Sequence, residues 1–418
     1  MRRQYCALLL LAFLAAAPLL LLDLSETVRW KTPVLRNSNF TTSLSLEHNE
    51  HEKRHNSTTN ESVGPQSTSQ KKKKPVHHHK RKRHHRKKGK QRYDKYIPNV
   101  SAANKKFLAD QASVKSVPTE APGWVFNKTA ADLFREKIAN GSRVVDGNFW
   151  VTQQNAPLNT ALHAYLAELK VSTSVFNRLP KENPFNARRF NTCSIVGNGG
   201  ILKGSGCGKE IDASEFVFRC NLAPMDSAYR KDIGEKTSLV TMNPSMLTYR
   251  YHAFAKGSKW FEKSKKDRKA FIKDLSVYGD SFIWIGAFFT RTYELVFKTQ
   301  DVLLEGKAKQ KVVIAHPDFV RSVHSFWKEN GLKAGRASTG IILVSAASQM
   351  CEEVHLYGFW PFHSDRKSRR LTEHYYDNAL STKYHSIPDE FKQLQRLHNT
   401  GVLRLTTTAC QSEINADN

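Results

Sequence analysis

No complete nucleotide-phosphate motif, no Asp-x-Asp pair and few aromatics in its first third: these absences constrain the 418-residue chain first. Ser194–Gly208, SIVGNGGILKGSGCG, comes nearest to a phosphate loop, because an apolar run breaks into six glycines. The dinucleotide pattern G-x-G-x-x-G begins at Gly197 and Gly199 but meets Leu202 where its third glycine belongs. The P-loop pattern fits Gly199 and Gly204, yet Ser205 and Gly206 stand where the Lys and hydroxyl should reach phosphate and magnesium. What remains is a strand ending in a turn whose bare backbone lets a ligand approach closely. Without Asp-x-Asp, the short carboxylate signature of many metal sites, and with His374 and Asp377 in HYYDN lacking a third ligand at sensible spacing, no metal is expected.

Residues 23 to 120 are poor in aromatics and rich in Ser, Thr, Asn, Lys and His, so they cannot bury enough surface to fold and read as a disordered stem. Before them lies an apolar stretch, Tyr5 to Leu22, preceded by Arg2 and Arg3. Eighteen residues are enough to cross a bilayer, and the basic flank stays cytoplasmic, which makes everything downstream luminal. A cleaved signal peptide is the alternative, since AFLAAAP offers small residues near a cleavage point. The expected organisation is a cytoplasmic tail (1–4), a transmembrane signal anchor (5–22), a luminal stem (23–120) and one catalytic domain (121–418). Asn39, Asn56, Asn60, Asn99, Asn127 and Asn140 each open an N-x-[ST] sequon, which agrees with a luminal chain.

Acidic residues are also scarce, 38 against 65 Lys and Arg, for a net charge of +27. Nearly half of that excess sits in Lys71–Arg92, KKKKPVHHHKRKRHHRKKGKQR, which has thirteen Lys and Arg and no interleaved aromatic. A luminal position excludes nucleic acid and leaves acidic glycans or anionic lipid as polyanion partners. A self-repelling spacer, a His-bound metal and a proteolytic site stay open beside them. Of six cysteines, Cys6 lies in the apolar stretch, and the remaining five are an odd number: two bridges and one buried thiol.

From Cys193 onward apolar runs alternate with amphipathic stretches, the pattern of an α/β fold with a Rossmann-like, mostly parallel sheet flanked by helices. Strands are expected at Cys193–Val196, Phe216–Arg219, Ser238–Met242, Ser281–Phe288, Lys311–Ala315, Val354–Phe359 and Val402–Thr406. Ser338 and Thr339 cap an apolar helix in ASTGIILVSAASQMC. That start is either an ordinary N-cap or an anion site, with unpaired N–H groups and the positive end of a dipole. HSIPDEFKQLQRLHNTG is a second helix, with Pro388 near its start, Asp389 and Glu390 in its first turn, Gly401 as its stop, and His385 in the loop before it.

CSIVGNGGILKGSGCGKEIDASEFVFRCNLAP, HPDFVRSVHSFWKENGLKAGRASTGIILVSAASQMCEEVHLYGFWPF, HYYDN and HSIPDEF resemble, in order and spacing, the large, small, third and very small sialylmotifs of animal sialyltransferases. The resemblance runs from Trp124 to Cys410, and VTMNPS, LYGFWPF and HYYDN look most like the α2,8 subgroup. It implies the sialyltransferase variant of the GT-A fold and a Golgi type II membrane enzyme. It also implies CMP-sialic acid as donor substrate, a sialylated glycan on glycoprotein or glycolipid as acceptor, and no cofactor. By resemblance Asn198 and Asn221 contact the donor, Ser338, Thr339 and Gly340 take its cytidine and phosphate end, and Trp360 packs against the nucleotide. His374 lies near the leaving phosphate and His385 is the catalytic base. The subgroup pattern pairs Cys193 with Cys351, tying the two halves of the donor site, and Cys207 with Cys410, leaving Cys220 free. A polysialyltransferase is the alternative product class, although Arg291–Arg321, with six basic residues against four acids, is only weakly basic. An inactive, polyanion-binding luminal protein is the remaining alternative.

Overall fold

The computed structural model describes residues 112–118, 123–142, 149–163, 168–185, 188–252, 261–286, 293–378 and 385–410. The expected tail, anchor and polybasic run, and the sequons at Asn39, Asn56, Asn60 and Asn99, lie outside the described residues. Chain contacts divide the protein into Met1–Gly89 and Lys90–Asn418, and all described residues belong to the second unit. No described helix is long and apolar enough to cross a membrane.

The strands are β1 (Ala161–His163), β2 (Glu168–Lys170), β3 (Phe190–Val196), β4 (Phe216–Arg219), β5 (Leu239–Met242), β6 (Phe282–Ile285), β7 (Lys311–Ile314), β8 (Cys351–Tyr357) and β9 (Arg404–Thr406). Described helices of six or more residues are α1 (Lys128–Ser142), α2 (Gly208–Ala213), α3 (Pro244–Tyr251), α4 (Phe261–Leu275), α5 (Tyr293–Glu305), α6 (Pro317–Glu329), α7 (Thr339–Met350) and α8 (Ile387–Asn399). Seven strands form one sheet in the order β7-β6-β5-β4-β3-β8-β9, and every pairing is parallel. β1 and β2 make a separate antiparallel pair.

Successive strand residues face opposite sides, and in a parallel sheet both sides are covered. Ile195, Phe216, Phe218, Leu239, Trp284, Val313 and Leu356 accordingly enter one core, which α1, α6, α7 and α8 close. Their neighbours Val240, Ile283, Ile285 and Ile314 enter a second core beneath α3, α4 and α5. Val196, Val217 and Tyr357 meet α2 through Ile211. The result is a three-layer, doubly wound architecture.

Each expected strand is present. β8 begins at Cys351, three residues early, because α7 passes into it without a loop, and it stops at Gly358, whose φ is +75°. The predicted stem boundary at 120 moves: Val114 and Val117 are buried in the core of the sheet, and Arg366 donates to the Pro118 carbonyl, so the folded region includes residues 112–118.

Both bridges form, with Cα–Cα separations of 6.0 Å for Cys193–Cys351 and 4.9 Å for Cys207–Cys410, and Cys220 is a buried free thiol. Cys351 is the first residue of β8, at the end opposite Gly358. The first bridge therefore ties β3 to β8, and with them the two halves of the site, from below.

Candidate active site

The chain leaves β3, steps outward to β7, and returns to lay β8 on the other side of β3. At such a reversal the loops beyond the carboxyl ends of the two central strands part, and a crevice opens between them. Gly197, Asn198 and Gly199 follow β3, and Gly358, Phe359 and Trp360 follow β8. Together with Cys220, Asn221, Ser338, Gly340, His363, Glu373, His374, His385 and Glu390 they line a cleft of about 410 Å³.

The two loops touch through bare backbone. Gly197 N–H donates to the Tyr357 carbonyl (2.7 Å) and Gly199 N–H to the Gly358 carbonyl (3.0 Å). A Cβ on Gly197 or Gly199 would stand 2.8 or 2.6 Å from the Gly358 oxygen, so only glycine fits. The segment 372–377 crosses above them: Gly200 N–H donates to the Glu373 carbonyl (3.3 Å) and Tyr375 N–H to the Asn198 carbonyl (2.9 Å). A Cβ on Gly200 would reach 2.0 Å from the Thr372 oxygen. The rest of the glycine run does something else. Gly204 and Gly206 donate to the Asp232 carboxylate at 2.8 and 2.9 Å, so this backbone cradle already holds an anion belonging to the protein.

His374 and His385 meet in the cleft from different segments. A carboxylate only accepts hydrogen bonds, so the contact of His374 Nδ1 with Asp377 Oδ1 (2.7 Å) places the proton on Nδ1. The Tyr376 ring stacks on the imidazole with centroids 5.2 Å apart. The pair spaced as for a metal is thus a histidine oriented by a carboxylate. His385 Nδ1 lies 3.0 Å from the Arg336 carbonyl, which likewise assigns its proton to Nδ1 and leaves Nε2 with a lone pair in the neutral ring. Burial pushes the His385 pKa down, opposed by this hydrogen bond, so the unprotonated ring is favoured further into mildly acidic conditions.

At the start of α7 the Ser338 Oγ accepts the Ile341 N–H at 3.2 Å, the expected cap. Ser338 also donates its own N–H (2.8 Å) and its hydroxyl to the carboxylate of Glu390. Among the described residues the amides of Thr339 and Gly340 have no protein acceptor. The Thr339 hydroxyl donates to Asn243 Oδ1 (3.3 Å), and Thr339 does not line the cleft, whereas Ser338 and Gly340 do. Gly340 gives room to Phe359, whose ring atom would lie 2.8 Å from a Cβ there.

Asn198 donates Nδ2 to the Cys220 carbonyl (3.1 Å). Asn221 sits at φ +59°, and its Oδ1 is buried with no hydrogen-bond partner, an acceptor left for a ligand. Trp360 is buried, donates Nε1 to the Ser364 carbonyl (2.9 Å) and packs edge-on against Phe362 and Phe391, so it forms the apolar floor. Of the residues expected in the donor site, all but Thr339 converge on the one cleft.

A family model described as glycosyltransferase family 29 (sialyltransferase) matches residues 144–402. The chain belongs to this family, the sialyltransferases. "Alpha-2,8-sialyltransferase 8F" of Mus musculus is 40% identical over 67% of this chain and 69% of its own length. "Alpha-N-acetylneuraminide alpha-2,8-sialyltransferase" of Bos taurus is 39% identical over 71% of this chain and 82% of its own. A crystal structure of a mammalian sialyltransferase aligns with TM-score 0.37 and 20% identity over 72% of this chain and 85% of that one.

The residue that sequence reasoning missed in this sialyltransferase is Glu390. It is only 4% exposed and has no ion pair among the described residues. Burial pushes its carboxyl up to about 7, against the lowering effect of the two Ser338 hydrogen bonds. The signal was helical period: Glu390, Leu394 and Leu397 fall on the buried stripe of α8, where a carboxylate needs a partner.

Proposed function

We propose that this sialyltransferase transfers sialic acid from CMP-sialic acid to the 8-hydroxyl of a sialylated glycan on a glycoprotein or glycolipid, with inversion from β donor to α product. The observation that carries the reading is the convergence in one cleft of a helix start, with Ser338 and the free amide of Gly340, and a histidine whose Nδ1 is tied back, leaving Nε2 as a base. In this reading the anionic donor phosphate lies at the start of α7, where N–H groups and helix dipole favour negative charge. Asn198 and Asn221 hold the donor, the buried acceptor of Asn221 taking one of its hydrogens, and Trp360 supplies an apolar surface for the nucleotide. His385 Nε2 takes the proton of the attacking hydroxyl as the new bond forms. His374, held by Asp377, offsets negative charge growing on the departing CMP.

Replacing His385 with Ala tests the base. Loss of general-base catalysis lowers turnover by about 10² to 10⁴, while CMP affinity, measured by calorimetry, changes little. Retention of more than about a tenth of the activity would move the role to His374. Because burial lowers the His385 pKa, the acid limb of turnover should fall below pH 6.5, the value for an unperturbed histidine.

The donor has a single phosphate, and we infer catalysis without a divalent metal or other cofactor. Among the described residues no group of three or more His, Cys, Asp or Glu is placed to hold one. An initial rate that collapses in chelator and returns with manganese would sink this. The setting proposed is a single-pass type II protein of the Golgi membrane with its catalytic domain luminal, which protease protection in sealed vesicles checks. Lys71–Arg92 serves as a polyanion contact in this reading. A chain lacking it should lose action on large polyanionic acceptors only, with a deficit that fades as salt rises.

A further inference from the structure

The Glu390 carboxylate touches the donor end of α7 and, among the described residues, forms no ion pair. Its Oε1 accepts the Ser338 N–H at 2.8 Å and its Oε2 the Ser338 hydroxyl, while Ser338 Oγ accepts the Ile341 N–H at 3.2 Å. Both Ser338 and Glu390 line the cleft. A hydroxyl has one proton and two lone pairs. With Glu390 ionised, the Ser338 proton is committed to the carboxylate, and a negative charge stands beside the place for an anion. With Glu390 protonated, the carboxylic acid donates to the second lone pair of Ser338 Oγ, and the hydroxyl proton is released to point into the cleft.

We propose that Glu390 and Ser338 form a proton-gated hydrogen-bond donor, so that binding of the CMP phosphate takes up one proton from solvent at Glu390. Glu390 carboxylate plus that proton becomes the acid, the acid donates to Ser338 Oγ, and Ser338 Oγ–H donates to a phosphate oxygen. No bond to carbon or phosphorus changes. The inference rests on the reading of the α7 start as the donor phosphate site.

The surroundings fit such a device. Trp360, Phe362 and Phe391, packed edge to face, wall this part of the cleft with apolar surface. Titratable groups face it from several elements. Cys220, after β4, has its thiol pushed up to about 12, by burial first and by the Glu390 charge second. His363, Glu373 and His374 line the cleft from the segment after β8, and His385 from the loop before α8. Asp389 and Lys392 share α8, where Asp389 accepts from Ser386, and Arg336 precedes α7. None of these forms an ion pair with Glu390 among the described residues. Burial dominates its titration and places it near pH 7, where a dianionic neighbour would draw the proton on.

Glu390→Gln tests the gate, since an uncharged amide donates to Ser338 Oγ and accepts from its N–H, reproducing the protonated arrangement at every pH. CMP is titrated calorimetrically into the full-length wild type and E390Q from pH 6 to pH 8, in buffers of differing ionisation enthalpy. With a gate titrating at about 7, wild-type affinity falls about tenfold relative to E390Q over that range, because only the protonated fraction is competent. Wild type takes up close to one proton more than E390Q per CMP at pH 8. Histidine and phosphate ionisation are common to both proteins and cancel in the difference. In S338A the advantage of E390Q disappears, because the gate acts through that hydroxyl. Cytidine, which lacks the phosphate, shows no excess uptake with wild type, a comparison that holds even if E390Q fails to fold. CMP binding with equal uptake in both proteins overturns the gate alone. No CMP binding by wild type overturns the donor site and the gate with it.

Discussion

Gly197–Gly200 and Gly204–Gly208 are separated by three residues and look alike in sequence, yet they do opposite work. The first group lies at the carboxyl end of β3 and packs bare backbone against Gly358 and Thr372, which brings Asn198 and His374 to the cleft. The second turns away into a cradle where Gly204 and Gly206 N–H groups hold Asp232, locked by the Cys207–Cys410 bridge. Successive amides converging on an anion are equally satisfied by a phosphate or by the protein's own carboxylate. Glycine density reports close backbone approach, and only the neighbour that approaches says whether a ligand is involved.

Variants in the two groups should separate stability from binding. The largest effect is expected from Cys207→Ser with Cys410→Ser: releasing a bridge that spans 203 residues costs about 2–5 kcal/mol. CMP affinity of the folded fraction should stay within about twofold, since neither cysteine lines the cleft. Chemical unfolding beside CMP titration measures both, and a tenfold loss of affinity would erase the distinction between the groups.

Gly200→Ala is next. A Cβ 2.0 Å from the Thr372 oxygen forces 372–374 away from β3, an overpacking cost of about 1–3 kcal/mol. Because His374 pairs with Gly199 through an isolated antiparallel bridge, CMP affinity should fall as well. Wild-type affinity in this variant would mean that the crossing segment does not shape the donor site.

Gly204→Ala should do least. A Cβ there meets nothing within 4 Å, so only the left-handed φ of +75° is penalised, by about 1 kcal/mol. Thermal unfolding should register this small shift with donor binding unchanged. A loss as large as that of Gly200→Ala would show that the cradle transmits to the cleft.

Much of the site could be read in advance because its parts carry local signals. Ser338 was evident as a cap ahead of an apolar run, and the start of α8 from Pro388, Asp389 and Glu390, whereas the role of His385 in the loop before it came only from resemblance. Convergence of Asn198, Asn221, Trp360, His374 and His385 was expected from resemblance rather than from spacing. What escaped was the use of each polar atom: Thr339 turned out to serve Asn243, and Ser338 to serve Glu390. The bridge between Cys193 and Cys351 joins the strands of the two motifs as the resemblance implies, while its position at the start of β8, away from the cleft, is visible only in the fold.

The sequence by itself determined the alternation of strands and helices, the two-sided burial of a parallel sheet and the capped start of α7. Each depends on residues within one or two turns of one another, where periodicity and capping chemistry suffice. Only the tertiary structure decided that β8 lies beside β3, opening the crevice, and that Glu390 meets Ser338 across 52 residues of chain. Strand order and buried polar pairs are set by which distant surfaces exclude water together, and no local pattern records that choice.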